Sequence, residues 1–241
     1  MTTKEKINDR YRRISILVGI FFIIGTVSGV LSGLVSGPIL DGPDRLAQVA
    51  ANANQIILSA LLVLTMGFPL AMIPALLYPL FRKYDRVLAM GAIIFRGVLE
   101  AFCYIALAVV WLLLVTLSRR YVDGGMQDLA MYQTLDALIM QAGRWVEHML
   151  AIVFSIGALM IYALFYRTRL IPRWLSIWGF AGGLLYIAAP LINVFDPQLP
   201  MLSVAAGVGV IMAPLALQEM VFAVWLIIKG FNSEAFAARS A

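Results

Sequence analysis

The chain has 241 residues, of which 62% are hydrophobic and only 13% charged, and its formal net charge is +5. A soluble domain of this size is about 45–50% apolar and about 25% charged, so the composition excludes an ordinary water-soluble globule. The excess cations sit in short segments between apolar runs, a membrane-topology pattern that argues against nucleic acid as a partner.

Apolar runs lie at 14–36, 55–81, 87–117, 145–166, 174–195 and 203–228. Each reaches the ~20 residues that a helix needs to cross ~30 Å of hydrocarbon. The expected fold is an all-α membrane protein, a six-transmembrane-helix bundle formed by a single polytopic domain over residues 1–241. Lys4, Lys6, Arg10, Arg12 and Arg13 precede span one, and Arg82, Lys83 and Arg86 join spans two and three. Arg167, Arg169 and Arg173 join spans four and five, and Lys229 and Arg239 follow span six. The opposite loops hold Arg45, Arg119 and Arg120 beside Asp41, Asp44, Asp123, Asp128 and Asp196. Counting Lys and Arg places both termini in the cytoplasm.

Span one reads as a structural helix and not as a cleaved leader, because its apolar character continues to about Val35. Gly25, Gly29 and Gly33 recur on one helical face, where a second copy of the chain can approach closely. The two Gly-Pro pairs at 37–38 and 42–43 suggest a tight outer turn, with Asp44 as N-cap of the next helix. Residues 45–55 are too polar for hydrocarbon and form an outer extension of helix two. Pro69, Pro74 and Pro79 then predict a kinked or locally unwound second span. Span three carries Arg96 and Glu100 inside an apolar run, and Cys103, the only cysteine, excludes an intramolecular disulfide. The second half of the 119–140 loop has helical spacing and leads into span four as a long outer extension of that helix.

Depth selects which buried charges can meet. At about 1.5 Å per residue, Arg96 and Glu219 each lie about 15 Å from the cytoplasmic ends of their helices, with Glu100 and Gln218 close above. Arg144, His148, Ser155, Tyr162 and Tyr166 fall in one arc of span four, with Glu147 at its edge, and span five adds Tyr186 and Asn193. Such side chains point into a bundle, since facing lipid leaves them without partners. Arg96, Glu100, Tyr104, Arg144, Glu147, His148, Asn193, Gln218 and Glu219 therefore outline a polar track for a small solute, a lipid headgroup or a proton. Arg96 precedes Glu100, the less favourable order for an i,i+4 pair, which is worth only about 0.2–0.5 kcal/mol. A charge at the centre of a spanning helix costs about 2.5–3.5 kcal/mol, so Arg96 requires a second partner, and Glu219 has the matching depth.

Metal chemistry has little to work with: one histidine and one cysteine do not make the usual zinc sets. Ser155 and His148 are about 10 Å apart along one helix, too far for a nucleophile and its base, and no nucleotide or haem motif is present. No cofactor is expected.

Four segments together resemble the bacterial "domain of unknown function 4386" membrane proteins: "RLAQVAANANQIILSALLVL", "IIFRGVLEAF", "IGALMIYALFYRTRLIPRWLSIWG" and "ALQEMVFAVWLIIKGFN". The resemblance implies a bacterial inner-membrane protein and brings no activity. The leading functional expectation is binding or movement of a small solute or proton through the track. The alternative is a structural or partner-interaction protein whose buried charges fix helix packing, and an intramembrane enzyme comes third.

The topology has a direct test. In a Cys103→Ser background, cysteines introduced at Leu40 and Gly125 should react with a membrane-impermeant thiol reagent on intact cells. Reaction only after lysis at both positions would reverse the orientation.

Overall fold

The computed structural model describes residues 3–125, 127–195 and 208–232, and among these every regular element is helical. Helix α1 covers Thr3–Leu40, α2 Arg45–Ala51 and α3 Ala53–Phe81. Helix α4 (Arg86–Ala92) runs into a π-helical segment, Ile93–Leu99, and then into α5 (Glu100–Asp123). Helices α6 (Leu129–Thr168), α7 (Arg173–Phe195) and α8 (Val208–Ile228) complete the order.

Among the described residues, five stretches are long and apolar enough to cross a membrane: Asp9–Leu40, Ala53–Phe81, Arg86–Asp123, Leu129–Thr168 and Arg173–Ile192. The chain is thus a multi-pass membrane protein. In α8 the apolar stretch among the described residues is the shorter Ala213–Ile228. The start of the expected sixth span, at 203–207, lies outside the described residues. Large apolar side chains stand on the outside of these helices, with Leu34 68% and Phe102 66% exposed. Water penalises such surfaces, whereas lipid tails solvate them.

Local expectations fare unevenly. The first Gly-Pro pair makes no turn, because Pro38 lies inside α1. The clash that proline imposes on its predecessor is eased here, since Gly37 has no Cβ. The turn is confined to 41–44. Asp44 does precede α2, but its backbone is left-handed (φ 51°, ψ 48°) and its side chain caps nothing. An N-cap oxygen reaches the first-turn amides from extended backbone, which Asp44 lacks. The extension of the second span is a separate helix, broken at Asn52, whose Nδ2 donates to the Gln48 carbonyl at 2.9 Å. That side-chain bond competes with the helical ladder.

Pro69, Pro74 and Pro79 all lie inside an uninterrupted α3, so no unwinding occurs there. The irregular turn is instead the π segment around Arg96, in the third span, which composition did not signal. The extension of the fourth span is present as expected, within the 40 residues of α6.

The chain divides into two compact units. One comprises Met1–Ile23, Pro69–Glu100 and Ala151–Ala241; the other comprises Ile24–Phe68 and Ala101–Leu150.

In the second unit, Ile39, Val49, Ala53, Ile56, Leu114 and Val115 form a buried cluster against Trp111 and Ile139. Two helices in it are tied by a reciprocal pair: Ser32 Oγ donates to the Ser59 carbonyl at 3.0 Å, and Ser59 Oγ to the Ser32 carbonyl at 3.3 Å. Hydroxyls crossing between helices are a usual adhesive in hydrocarbon, worth about 0.6 kcal/mol each. Arg45 grips Asp136 through Nε (3.1 Å) and Nη2 (2.5 Å). The hydrogen bonds that Arg45 donates to Asp136 raise its pKa above the ordinary value, and the charges of Asp136 and Asp41 add to it against partial burial. Arg45 therefore stays charged wherever the protein is folded.

In the first unit, Phe165 stacks edge-on against Phe81 (4.9 Å) and Phe222 (5.2 Å), and Phe22 meets Phe222 at 5.5 Å. Asp85 caps α4 by accepting from the Leu88 amide at 3.0 Å and also pairs with Arg167 at 3.2 Å. Arg12 covers the end of α8, donating to the carbonyls of Leu226 (3.1 Å) and Ile227 (2.6 Å). A cation at a helix C-terminus satisfies orphan carbonyls and opposes the negative end of the dipole.

Candidate functional site: a buried arginine between two carboxylates

The first unit is built around Arg96. Its side chain is 1% exposed, as is that of Glu100, and that of Glu219 is 12% exposed. Arg96 Nη2 donates to Glu219 Oε1 at 2.9 Å, which is the inter-helix contact that depth predicts. Arg96 Nε lies 3.7 Å from Glu100 Oε2, so Glu100 shares the same guanidinium. Moving an ion out of water costs several kcal/mol, and one surface-grade pair does not offset that. Two carboxylates placed about one cation supply the missing attraction.

Three further features serve this cation. The guanidinium carbon lies 4.1 Å from the centre of the Phe154 ring and 5.6 Å from that of Phe22, distances at which a ring face attracts a desolvated cation. The π segment holds Arg96 and Gly97 as its buried residues, and its last turn closes with the Glu100 amide donating to the Phe95 carbonyl. Gly157 of α6 rests on the arginine's own backbone: a Cβ built there would stand 2.7 Å from both Arg96 N and Arg96 Cβ. Backbone cannot yield as a flexible side chain can, so residue 157 is confined to glycine.

Beside the cluster, the Tyr162 hydroxyl donates to Gln218 Oε1 at 2.7 Å, and Gln218 Nε2 donates to the Leu175 carbonyl at 3.1 Å. Gln218 thereby ties three helices while fully buried. Its partners were not foreseen from sequence. Phe154 and Gly157 were missed too, although "FSIG" in an otherwise bulky helix is a legible sign of close packing.

Of the remaining expected residues, Tyr104, Arg144, Glu147 and His148 belong to the second unit. Tyr104 is 6% exposed and packs over Gly67, where a Cβ would stand 2.8 Å from its ring. Arg144 is exposed and donates from Nε to Gln141 Oε1 at 3.1 Å. The His148 Nδ1 faces the Arg144 carbonyl at 2.6 Å. A carbonyl only accepts, so that nitrogen carries a proton. The expected stripe on α6 is a continuous interior face only in part: Ser155 bonds back to the Ala151 carbonyl at 2.7 Å, and Tyr166 is exposed. The side chain of Asn193 lies outside the described residues. Among the described residues, no group of three His, Cys, Asp or Glu side chains is placed to hold a metal.

A family model described as "Domain of unknown function (DUF4386)" matches residues 17–230. No curated protein and no solved structure matches the chain.

The cluster makes a testable energetic statement. Arg96→Met or Glu219→Met alone should destabilise the protein in detergent by roughly 3–5 kcal/mol, because each strands buried charge. Because Glu100 shares the guanidinium, the double Met variant leaves a carboxylate behind. The triple variant Arg96→Met, Glu100→Met, Glu219→Met should recover most of the loss. Equal instability of the single and triple variants would show that the charges do not compensate one another.

Proposed function

The chain belongs to the DUF4386 family, and from that premise we propose a multi-pass protein of the bacterial cytoplasmic membrane that works at its surfaces and not through its interior. Both termini face the cytoplasm, and six helices span. In this reading the Arg96 cluster is a packing centre, and function lies in contact with lipid or protein partners.

One observation carries the proposal: Arg96 is enclosed. Two carboxylates, two aromatic rings and the Gly157 backbone occupy its surroundings, and 1% of its side chain is accessible. A solute needs room beside the charges that bind it. The face bearing Gly25, Gly29 and Gly33 is proposed as a contact for a second copy. Gly29 is occupied by Met66 within the chain, whereas a Cβ at Gly33 would meet nothing within 4 Å, so the contact centres on Gly33.

A second reading, movement of a proton or small solute along the polar track, is favoured by the seven-residue π segment at Arg96. Such irregular turns are frequent at functional sites. Its proton-handling group is Glu219, the least enclosed of the three charges.

Proteoliposomes decide between the two. With an imposed membrane potential and a trapped pH indicator, purified protein should give no proton flux above empty vesicles. A flux that disappears in Glu219→Gln, with the variant folded and inserted, would overturn the packing-centre reading and establish the second one.

A further inference from the structure

We propose that the end of the first unit where α6, α7 and α8 meet is a binding site for one anionic phospholipid, with its phosphate in a basic pocket and one acyl chain along α8. The pocket has a volume of about 460 Å³ and is lined by Arg169, Arg173 and Lys229 together with Trp225 and Phe231. Among the described residues no carboxylate lines it, and none of these three cations takes part in an ion pair. Arg167, two residues away from Arg169, is by contrast held by Asp85 at 3.2 Å. Arg173 lies over the Tyr166 ring at 4.9 Å, a contact that leaves its charge without a carboxylate, so the pocket concentrates positive charge for which a phosphate ester is the complementary ligand.

The local backbone is arranged around that charge. Arg169 follows α6 in the left-handed region, φ 55°, a position that glycine usually takes at a helix end. A guanidinium is kept there although a non-glycine residue is disfavoured in that conformation. Helix α7 begins at the same place, so the positive end of its dipole adds to the field. The opposing negative end of α8 is covered by Arg12, which takes the Leu226 and Ile227 carbonyls.

A second observation selects a lipid over free phosphate. An apolar groove of about 410 Å³ runs along α8 between Met220, Val224 and Ile228, and it shares Trp225 and Lys229 with the basic pocket. A headgroup seated on Lys229 thus adjoins an apolar groove for an acyl chain, with Trp225 shared between the two. Indole rings favour that level of the membrane interface. Inorganic phosphate has no use for the groove. The proposal requires only that the chain spans a membrane, and it is independent of whether the interior passes a proton.

The test is native mass spectrometry of the full chain, released from micelles carrying equal amounts of phosphatidylglycerol and phosphatidylcholine. One phosphatidylglycerol should be retained preferentially. Arg169→Gln with Arg173→Gln and Lys229→Gln should weaken its retention on the order of 100-fold, at about one kcal/mol per interfacial cation. Arg82→Gln with Lys83→Gln, which also removes membrane-surface cations, should leave it within about twofold. Val224→Trp, which fills the groove without altering charge, should also reduce retention, and millimolar inorganic phosphate should not displace the lipid. Displacement by phosphate would assign the pocket to a free anion. Equal retention of the two lipids, or loss of a dimer in place of a lipid in the triple variant, would overturn the proposal. Should the triple variant fail to fold, Val224→Trp and the Arg169→Gln single variant take its place, and unchanged retention in both would overturn the proposal.

Discussion

Keeping a guanidinium charged in a medium that does not solvate it is the constraint on which the first unit depends. Water would surround Arg96 with hydrogen-bond acceptors; the interior must replace them with fixed groups already in place. Glu219 provides one from another helix, Glu100 a second from the next turn, and the Phe154 and Phe22 rings provide negative faces. Each replacement restricts something else. Glu219 fixes α8 against the π segment, Phe154 fixes the rotation of α6, and Gly157 must stay small so that α6 lies against the arginine's backbone.

Hydrocarbon explains why polar contacts carry so much of this organisation. Apolar surfaces gain little from meeting one another when lipid tails are just as apolar, so helices associate through close packing and hydrogen bonds. Gln218 bridging Tyr162 and Leu175, and Ser32 exchanging bonds with Ser59, are of this kind. The outward leucines, valines and phenylalanines contribute to insertion and not to specificity. At the ends of the helices the solvent changes, and with it the role of charge. Arg12, Arg45 and Arg167 each find a fixed acceptor, while Arg169, Arg173 and Lys229 remain available at the surface.

The membrane-spanning character was legible in the sequence because hydropathy integrates over twenty residues and tolerates local error. The Arg96–Glu219 contact was legible for a related reason: helical rise is constant, so depth can be counted from the flanking cations. Local backbone was harder to read. Pro69, Pro74 and Pro79 suggested unwinding in α3, yet that helix is continuous and the irregular turn lies at Ile93–Leu99. A π turn arises from tertiary accommodation, here the packing of a charged residue, and leaves no composition of its own. Asp44 misled for a similar reason, since a cap is defined by backbone geometry that residue type alone does not set. The packing partner across each helix face was the other quantity that counting residues did not supply, which is why Phe154 and the Tyr162–Gln218 contact emerged only with the fold.

Enclosed as it is, Arg96 should sit in dry surroundings, and Ser155 on the neighbouring face of α6 reports on them. It is fully buried on α6, one residue from Phe154 and two from Gly157, and cysteine replaces serine with little change in volume. In a Cys103→Ser, Ser155→Cys protein in lipid nanodiscs, a small water-soluble thiosulfonate should leave the thiol unmodified, while an Arg167→Cys control at the exposed end of α6 reacts. Modification of position 155 at a rate comparable to the control would reveal a water-filled interior, in which Arg96 is hydrated and not held by its packing.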